Sequence, residues 1–362
     1  MAASTARRAR PGLRKAFPWR RPAASRGRDG RGGRSNAQER LYHPAPVSAP
    51  VRPLSSRGSA IPPLLQALRP HQWTKNLAIF VGILFAHFAG QLRDLGVLLP
   101  VGLLFVAFCL ASSCVYLLND IADREEDARH PVKRHRAIAS GRLSLGSARV
   151  AAAVCGAAAL VLAWFLPRAP LITKLELPAG IVVLVPYLAL NAAYTAFLKR
   201  IAIADVTCVA IGFLIRVVGG PKVADIEVSS WLILCTFFGA LFLACAKRRG
   251  ELMVTEGGDG GRSVLQKYSD RLLDILVSIA ATATLLCYAI YTVSPETIAK
   301  FHTDHLLYTV PFVFLGLGRY LLLLYRRQRG EDPARLLFTD PGLMLAIGGW
   351  LATSWAASVL TR

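Results

Sequence analysis

Asn119, Asp120, Asp123 and Asp127 stand in the order N-D-x-x-D-x-x-x-D, inside the stretch NDIADREED. On a helix, steps of three and four residues put Asp120, Asp123 and Asp127 on one face. Three carboxylates side by side repel unless a cation sits among them. Their hard oxygen donors suit Mg²⁺, which takes one or two carboxylates, keeps several waters and draws its remaining ligands from substrate phosphates. Glu125 and Glu126 fall elsewhere around the helix and are expected to face solvent. Acids at a helix C-terminus oppose the macrodipole by roughly 0.3 kcal/mol or more each, so a purely structural helix end would not place them there. Lys133, Arg134 and Arg136 follow at once. Acids and bases gathered at one helix end point to a polyanion held partly through metal ions.

Other stretches carry compatible groups. KRRGEL supplies Lys247, Arg248, Arg249 and Glu251, and HQWTKN supplies Lys75 beside Trp73 and Asn76. Asn191, Tyr194 and Lys199 end one apolar block, and Asp205 begins the next. Guanidinium forks grip phosphates bidentately without a metal. Each basic group also has a bland explanation: cytoplasmic loops of membrane proteins are basic in any case, and a lysine at a helix end snorkels to the headgroups. Arg216 and Arg319 are ionisable groups within apolar blocks, which makes them functional candidates. Arg216 lies near the outer end of its block and is expected to make a structural pairing.

The blocks that position these residues have membrane-spanning length. The chain of 362 residues is 54% hydrophobic and 18% charged, and a helix of roughly 20 apolar residues crosses a bilayer. Nine spans are expected, at 70–91, 96–118, 148–166, 178–197, 201–218, 230–246, 271–293, 306–325 and 341–360. The first has the shortest apolar core and an amphipathic start. With the N-terminus inside, the inner segments hold 35 Lys and Arg residues against six in the outer ones, which predicts an N-in, C-out topology. NDIADREEDARHPVKRHR and the KRRGEL loop then share the cytoplasmic face.

The net charge of +21 is concentrated in residues 1–60, which carry +12. That segment is rich in Arg, Gly, Ser, Ala and Pro without hydrophobic period, so it is expected to be a disordered basic tail. It lacks the apolar centre of a secretory signal and has the composition of a transit peptide, of a tail drawn to anionic headgroups, or of an upstream start. No aromatic or motif-like feature supports nucleic-acid binding. All seven cysteines fall in apolar blocks without a C-x-x-C pair and read as small core residues.

NDIADREED matches the N-D-x-x-D-x-x-x-D motif of the UbiA-type membrane prenyltransferase superfamily. LRPHQWTKN (Leu68–Asn76), YLLNDIADREEDARHPVKRHRAIASGRLS (Tyr116–Ser144), DVTCVAIGFLIRVVGG (Asp205–Gly220) and KRRGEL (Lys247–Leu252) resemble its decaprenyl-phosphate phosphoribosyltransferase branch. The resemblance covers about residues 62–362. It implies an all-α, polytopic bundle of about nine helices in residues 61–362, around a cavity open to the cytosol and to lipid. It implies a polyprenyl phosphate acceptor, phosphoribosyl diphosphate (PRPP) as donor and Mg²⁺ held by Asp120, Asp123 and Asp127. It also favours a phosphate contact for Lys75. The prenyl-transferring members usually carry a second aspartate-rich motif after the sixth span. Here Lys247, Arg248 and Arg249 stand with one acid, Glu251, as suits a donor with an additional 5-phosphate.

Two other readings use the same residues. The aspartates would serve a prenyltransferase that joins a prenyl diphosphate to an aromatic acceptor, although the basic second loop and HPVKRHR argue against it. A transporter without chemistry is the other, weakened by the acidic triad and by the lack of a visible internal repeat.

Overall fold

The computed structural model describes residues 62–359, except 91, 93, 131, 173–174, 256–263, 328–335 and 337–338. The basic tail, 1–60, lies outside the described residues, which belong to the unit Gly58–Arg362. The chain is helical: α1 (Pro63–Leu68), a 3₁₀ helix (Pro70–Phe80), α2 (Val81–Phe88), α3 (Leu98–Ala122), α4 (Arg124–Arg129), α5 (Leu145–Trp164) and α6 (Ala179–Ala196) come first. Then follow α7 (Ala204–Val223), α8 (Ser230–Thr255), α9 (Asp270–Val293), α10 (Pro295–Phe301), α11 (Val310–Arg327) and α12 (Pro341–Val359). An antiparallel hairpin, Arg168–Ile172 with Leu175–Pro178, links α5 to α6.

Among the described residues, eight helices are long and apolar enough to cross a membrane. The first expected span is composite: the 3₁₀ helix of 11 residues runs into the 8 residues of α2. At about 2.0 Å per residue in the first part and 1.5 Å in the second, the pair reaches about 34 Å, enough for a hydrocarbon core of about 30 Å. Counted as one span, it brings the total to the nine expected. Leu99, Val150, Ile279 and Leu345 are exposed by 57–76%. Helices apolar on all sides are those surrounded by lipid or by other helices.

Among the described residues, two large apolar clusters hold the middle of the bundle. Ile79, Leu104, Phe108, Val183 and Tyr187 pack one, and Phe242, Cys245, Val277, Tyr320 and Leu343 the other. Helix α7 joins them, giving Val223 to the first and Val206 to the second. The composite span presses on α7 backbone to backbone. A Cβ on Gly220 would stand 2.1 Å from the Ile79 carbonyl oxygen, and one on Gly82 2.3 Å from Cγ of Pro221. Small residues at helix crossings are how membrane helices approach closely, since lipid offers no hydrophobic drive between them. The seven cysteines are free, and four of them are buried.

The acidic stretch departs from the continuous helix expected. α3 ends at Ala122, Asp123 turns (φ −94°, ψ 7°), and α4 restarts at Arg124. The Asp123 N–H donates to the Asn119 carbonyl at 2.9 Å, and the Asp127 N–H to that of Asp123 at 2.8 Å. The turn swings Asp123 away while Asp120 and Asp127 come together.

Candidate active site

A cavity of about 630 Å³ opens where α3, α6 and α8 end. Its size is that of a small-molecule pocket. Asn119, Asp120, Asp123, Glu126 and Asp127 form its acidic side. Arg69, Lys75, Lys133, Arg136, Lys199, Arg200, Lys247 and Arg248 surround them, and Tyr116 and Tyr194 also line it. Leu77, Ala78 and Val81 of the composite span, Val206, Val209 and Phe213 of α7, and Ala240, Leu243 and Ala244 of α8 form an apolar wall.

Asp120 and Asp127 are buried and share one guanidinium nitrogen. Nη1 of Arg136 lies 3.1 Å from Oδ1 of Asp120 and 2.6 Å from Oδ2 of Asp127. Nη2 of Arg69 reaches both oxygens of Asp120, at 2.6 and 2.9 Å, and the same guanidinium lies 5.0 Å from the Tyr116 ring centre. Arg69 holds positive φ (53°) directly before Pro70, a strained place for a residue preceding proline. Trp73 and the Leu68 carbonyl, both bonded to the Ser113 hydroxyl at 3.1 and 2.9 Å, pin that corner to α3. Lys133 Nζ is 4.0 Å from Asp127, and Lys199 Nζ 2.5 Å from Asp123. The Thr195 hydroxyl donates to Oδ1 of Asn119.

Behind the opposite wall, Asp205 is fully buried. It accepts from Nε of Arg248 at 2.7 Å and from the Tyr268 hydroxyl at 2.6 Å. Arg248 also donates to Glu251 at 2.7 Å and to the Tyr194 hydroxyl at 3.5 Å. Burial, then the bond to the Asp205 carboxylate, push the Tyr268 hydroxyl well above the ordinary range, so it stays protonated and remains a donor.

Eleven of the sixteen residues singled out by type and spacing line the cavity: Asn119, Asp120, Asp123, Asp127, Lys75, Lys133, Arg136, Tyr194, Lys199, Lys247 and Arg248. Five do not. Asp205 and Glu251 stand behind the wall and hold Arg248. The Asn191 amide donates to the Tyr187 carbonyl at 2.8 Å. Arg134 is exposed and turned to His135 at 3.3 Å. Arg249 faces α9, where it pairs with Asp270 at 2.7 Å and Asp274 at 2.8 Å. Glu126 is exposed, as expected, and also lines the cavity. Arg69, Arg200, Thr195 and Tyr268 had no spacing signal, because their partners lie far along the chain. Arg69 does stand inside LRPHQWTKN, beside the lysine that was marked.

Arg216 makes the structural pairing expected of it, with neutral groups. It donates to Asn76 at 2.8 Å, the Gly212 carbonyl at 2.7 Å and the Tyr187 hydroxyl at 2.9 Å, and three aromatic rings surround it.

Among the described residues no group of three His, Cys, Asp or Glu side chains converges to hold a metal alone. The donor set nonetheless fits Mg²⁺, which asks for one or two carboxylates and completes its shell with water and phosphate. Asp120 and Asp127, whose oxygens already meet at a single cationic nitrogen, are the carboxylates that would supply such a pair.

Comparison with known proteins agrees with this architecture. The chain is 35% identical over 303 residues to a decaprenyl-phosphate phosphoribosyltransferase of Mycolicibacterium smegmatis, covering 81% of this chain and 92% of the relative. It is 33% identical over 296 residues to the protein of the same name from Mycobacterium tuberculosis, covering 81% and 93%. A solved UbiA homolog from Archaeoglobus fulgidus, bound to DMAPP and Mg²⁺, superposes with a TM-score of 0.57 at 15% identity, over 82% of this chain and 98% of that one. At that identity the likeness is one of fold. The family model described as UbiA prenyltransferase matches residues 76–340. The chain belongs to the UbiA prenyltransferase family.

Proposed function

We propose that this protein is an integral membrane glycosyltransferase that moves 5-phosphoribose from PRPP to a polyprenyl phosphate, decaprenyl phosphate being the acceptor in the names of its relatives. The observation that carries the reading is the cavity's composition: eight cationic side chains against four acids, backed by an apolar wall. Two substrates with a diphosphate and two further phosphates between them, one on a lipid, fit that pattern. The product, polyprenyl-phosphoryl-5-phosphoribose, is a lipid-linked precursor for pentose units of envelope glycans such as arabinan.

A phosphate oxygen of the acceptor attacks C1 of PRPP, the C1–O bond to the diphosphate breaks, and pyrophosphate departs. The nucleophile is anionic at neutral pH, so no general base is required. Asp120 and Asp127, with Asp123 beside them, would hold Mg²⁺, which when bound neutralises charge on the leaving diphosphate. Arg248, Lys247, Lys133 and Arg136 bind and orient the phosphates, which turns the encounter into a positioned, effectively unimolecular step. The carboxylate of Asp120 or Asp127 stabilises positive charge at C1. Leu77, Val81, Val209 and Phe213 take the first isoprene units and keep water from the anomeric carbon.

The 35-to-six distribution of basic residues supports placing the site on the cytoplasmic face of the inner membrane, where PRPP is dissolved. Lys247 and Arg248 on the cavity wall favour this donor over a prenyl diphosphate. The test is transfer from radiolabelled PRPP by the purified protein in detergent. Label entering the organic phase only with both polyprenyl phosphate and Mg²⁺ is the expected result. Consumption of a prenyl diphosphate with an aromatic acceptor, and no movement of label, would overturn it.

A further inference from the structure

The basic wall is held by a segment that does not line the cavity. Val264–Ser269 lies against the turn between α6 and α7, with Val264 and Tyr268 buried beside Ala202 and Leu252. Ser269 anchors its far end by capping α9, its hydroxyl accepting from the Leu272 N–H. Two side chains reach across to the turn. Lys267 donates to the Arg200 carbonyl at 2.8 Å. The Tyr268 hydroxyl accepts from the Ile203 N–H at 2.6 Å and donates to Asp205 at 2.6 Å.

Ile203 carries φ 70° and ψ −45°. That is the region of the γ-turn with positive φ, which is rare and strained, and a β-branched residue there is an outlier. Such a conformation persists where its surroundings impose it, and it concentrates at functional sites. Here the turn sets Lys199 and Arg200 on one side of Ile203 and Asp205 on the other. Lys199, Arg200 and the Arg248 held by Asp205 all line the cavity.

We propose that Tyr268 is a positioning residue for donor binding, and that with Lys267 it clasps the α6–α7 turn so that Arg248, Lys199 and Arg200 meet the phosphates of PRPP. The inference rests on the phosphoribosyl reading above.

In Tyr268→Phe, the buried Asp205 and the Ile203 N–H each lose a partner. The expected result is a rise of about tenfold in KM for PRPP, the size of one hydrogen bond to a charged group, with kcat and the KM for the lipid changed less than about twofold. Because Tyr268 acts partly through Arg248, adding Tyr268→Phe to Arg248→Ala should worsen KM for PRPP by about threefold rather than about tenfold. Lys267→Met removes only the exposed tether and should raise that KM about threefold.

Equal losses in both KM values and kcat, together with a lowered melting temperature, would reduce Tyr268 to a structural residue and overturn the proposal. So would effects of Tyr268→Phe and Arg248→Ala that multiply. An unchanged KM in Lys267→Met overturns the clasp even where Tyr268→Phe fails to fold. Wild-type protein that transfers no label would defeat the phosphoribosyl reading instead. Active wild type with variants indistinguishable from it defeats the clasp alone.

Discussion

Arg136 places one guanidinium nitrogen between two buried carboxylates, and Arg69 covers the outer oxygens of one of them. Each acid of the trio is balanced by a base: Asp127 by Arg136 and Lys133 of its own stretch, Asp120 also by the distant Arg69, and Asp123 by the distant Lys199. Asp120→Asn removes a carboxylate oxygen proposed to bind Mg²⁺ and is expected to lower kcat at least about 100-fold. The protein should remain monodisperse in gel filtration, and loss of that profile would make the effect one of folding. The neighbours Arg248 and Arg249 should behave differently. Arg248→Ala, on the cavity wall, is expected to raise KM for PRPP about tenfold or more. Arg249→Ala should leave it within about twofold, because its partners Asp270 and Asp274 lie on α9, 42% and 40% exposed. Pairs that exposed contribute about 0.5 kcal/mol each, so a small drop in melting temperature is all that Arg249→Ala should cost.

At the scale of elements, the composite span and α7 form the contact on which the site depends. One carries Lys75 and the other positions Asp205, and glycines bring their backbones together. Gly220→Ala and Gly82→Ala introduce a Cβ within 2.1 and 2.3 Å of an atom of the facing segment. Each is expected to destabilise the protein by about 2 kcal/mol, the range of overpacked cores, and to lower activity by tilting Lys75 from the cavity. Gly348→Ala, where a Cβ would meet nothing within 4 Å, should instead gain up to about 1 kcal/mol from helix propensity. Thermal unfolding in one detergent compares all three. Equal effects would show that the close approach of the composite span to α7 does not matter.

For the molecule as a whole, the basic asymmetry predicts which ends of the helices meet the cytosol. Ser140 stands in the loop with the acidic and basic clusters, and Asp304 in the loop before α11. With the native cysteines inside apolar blocks, single cysteines at these positions report topology. In intact cells a membrane-impermeant maleimide should label Asp304→Cys, and Ser140→Cys only after permeabilisation. The reverse pattern would place the cavity outside and remove its access to a cytosolic donor. The first span shows how much of the bundle periodicity could reveal. Its short apolar core marked it as the weakest, and it is the one that folds as 3₁₀ and α halves.

Amino-acid sequence by itself determined the membrane helices, their order, and the nearness of Asp120 and Asp127 to Arg136, with Lys133 beside Asp127, because these follow from hydrophobic length and from neighbours a few residues apart. It also carried the family, through stretches that surround the site. Tertiary structure alone decided which charges pair. Arg69 meets Asp120 across 51 residues and Tyr268 meets Asp205 across 63, and no local spacing encodes such contacts. It decided as well that Arg248 faces the cavity and Arg249 does not. Successive residues on a helix of 3.6 residues per turn point about 100° apart. Which of two adjacent arginines serves the site therefore depends on the rotation of α8 against α7 and α9, and packing sets that rotation.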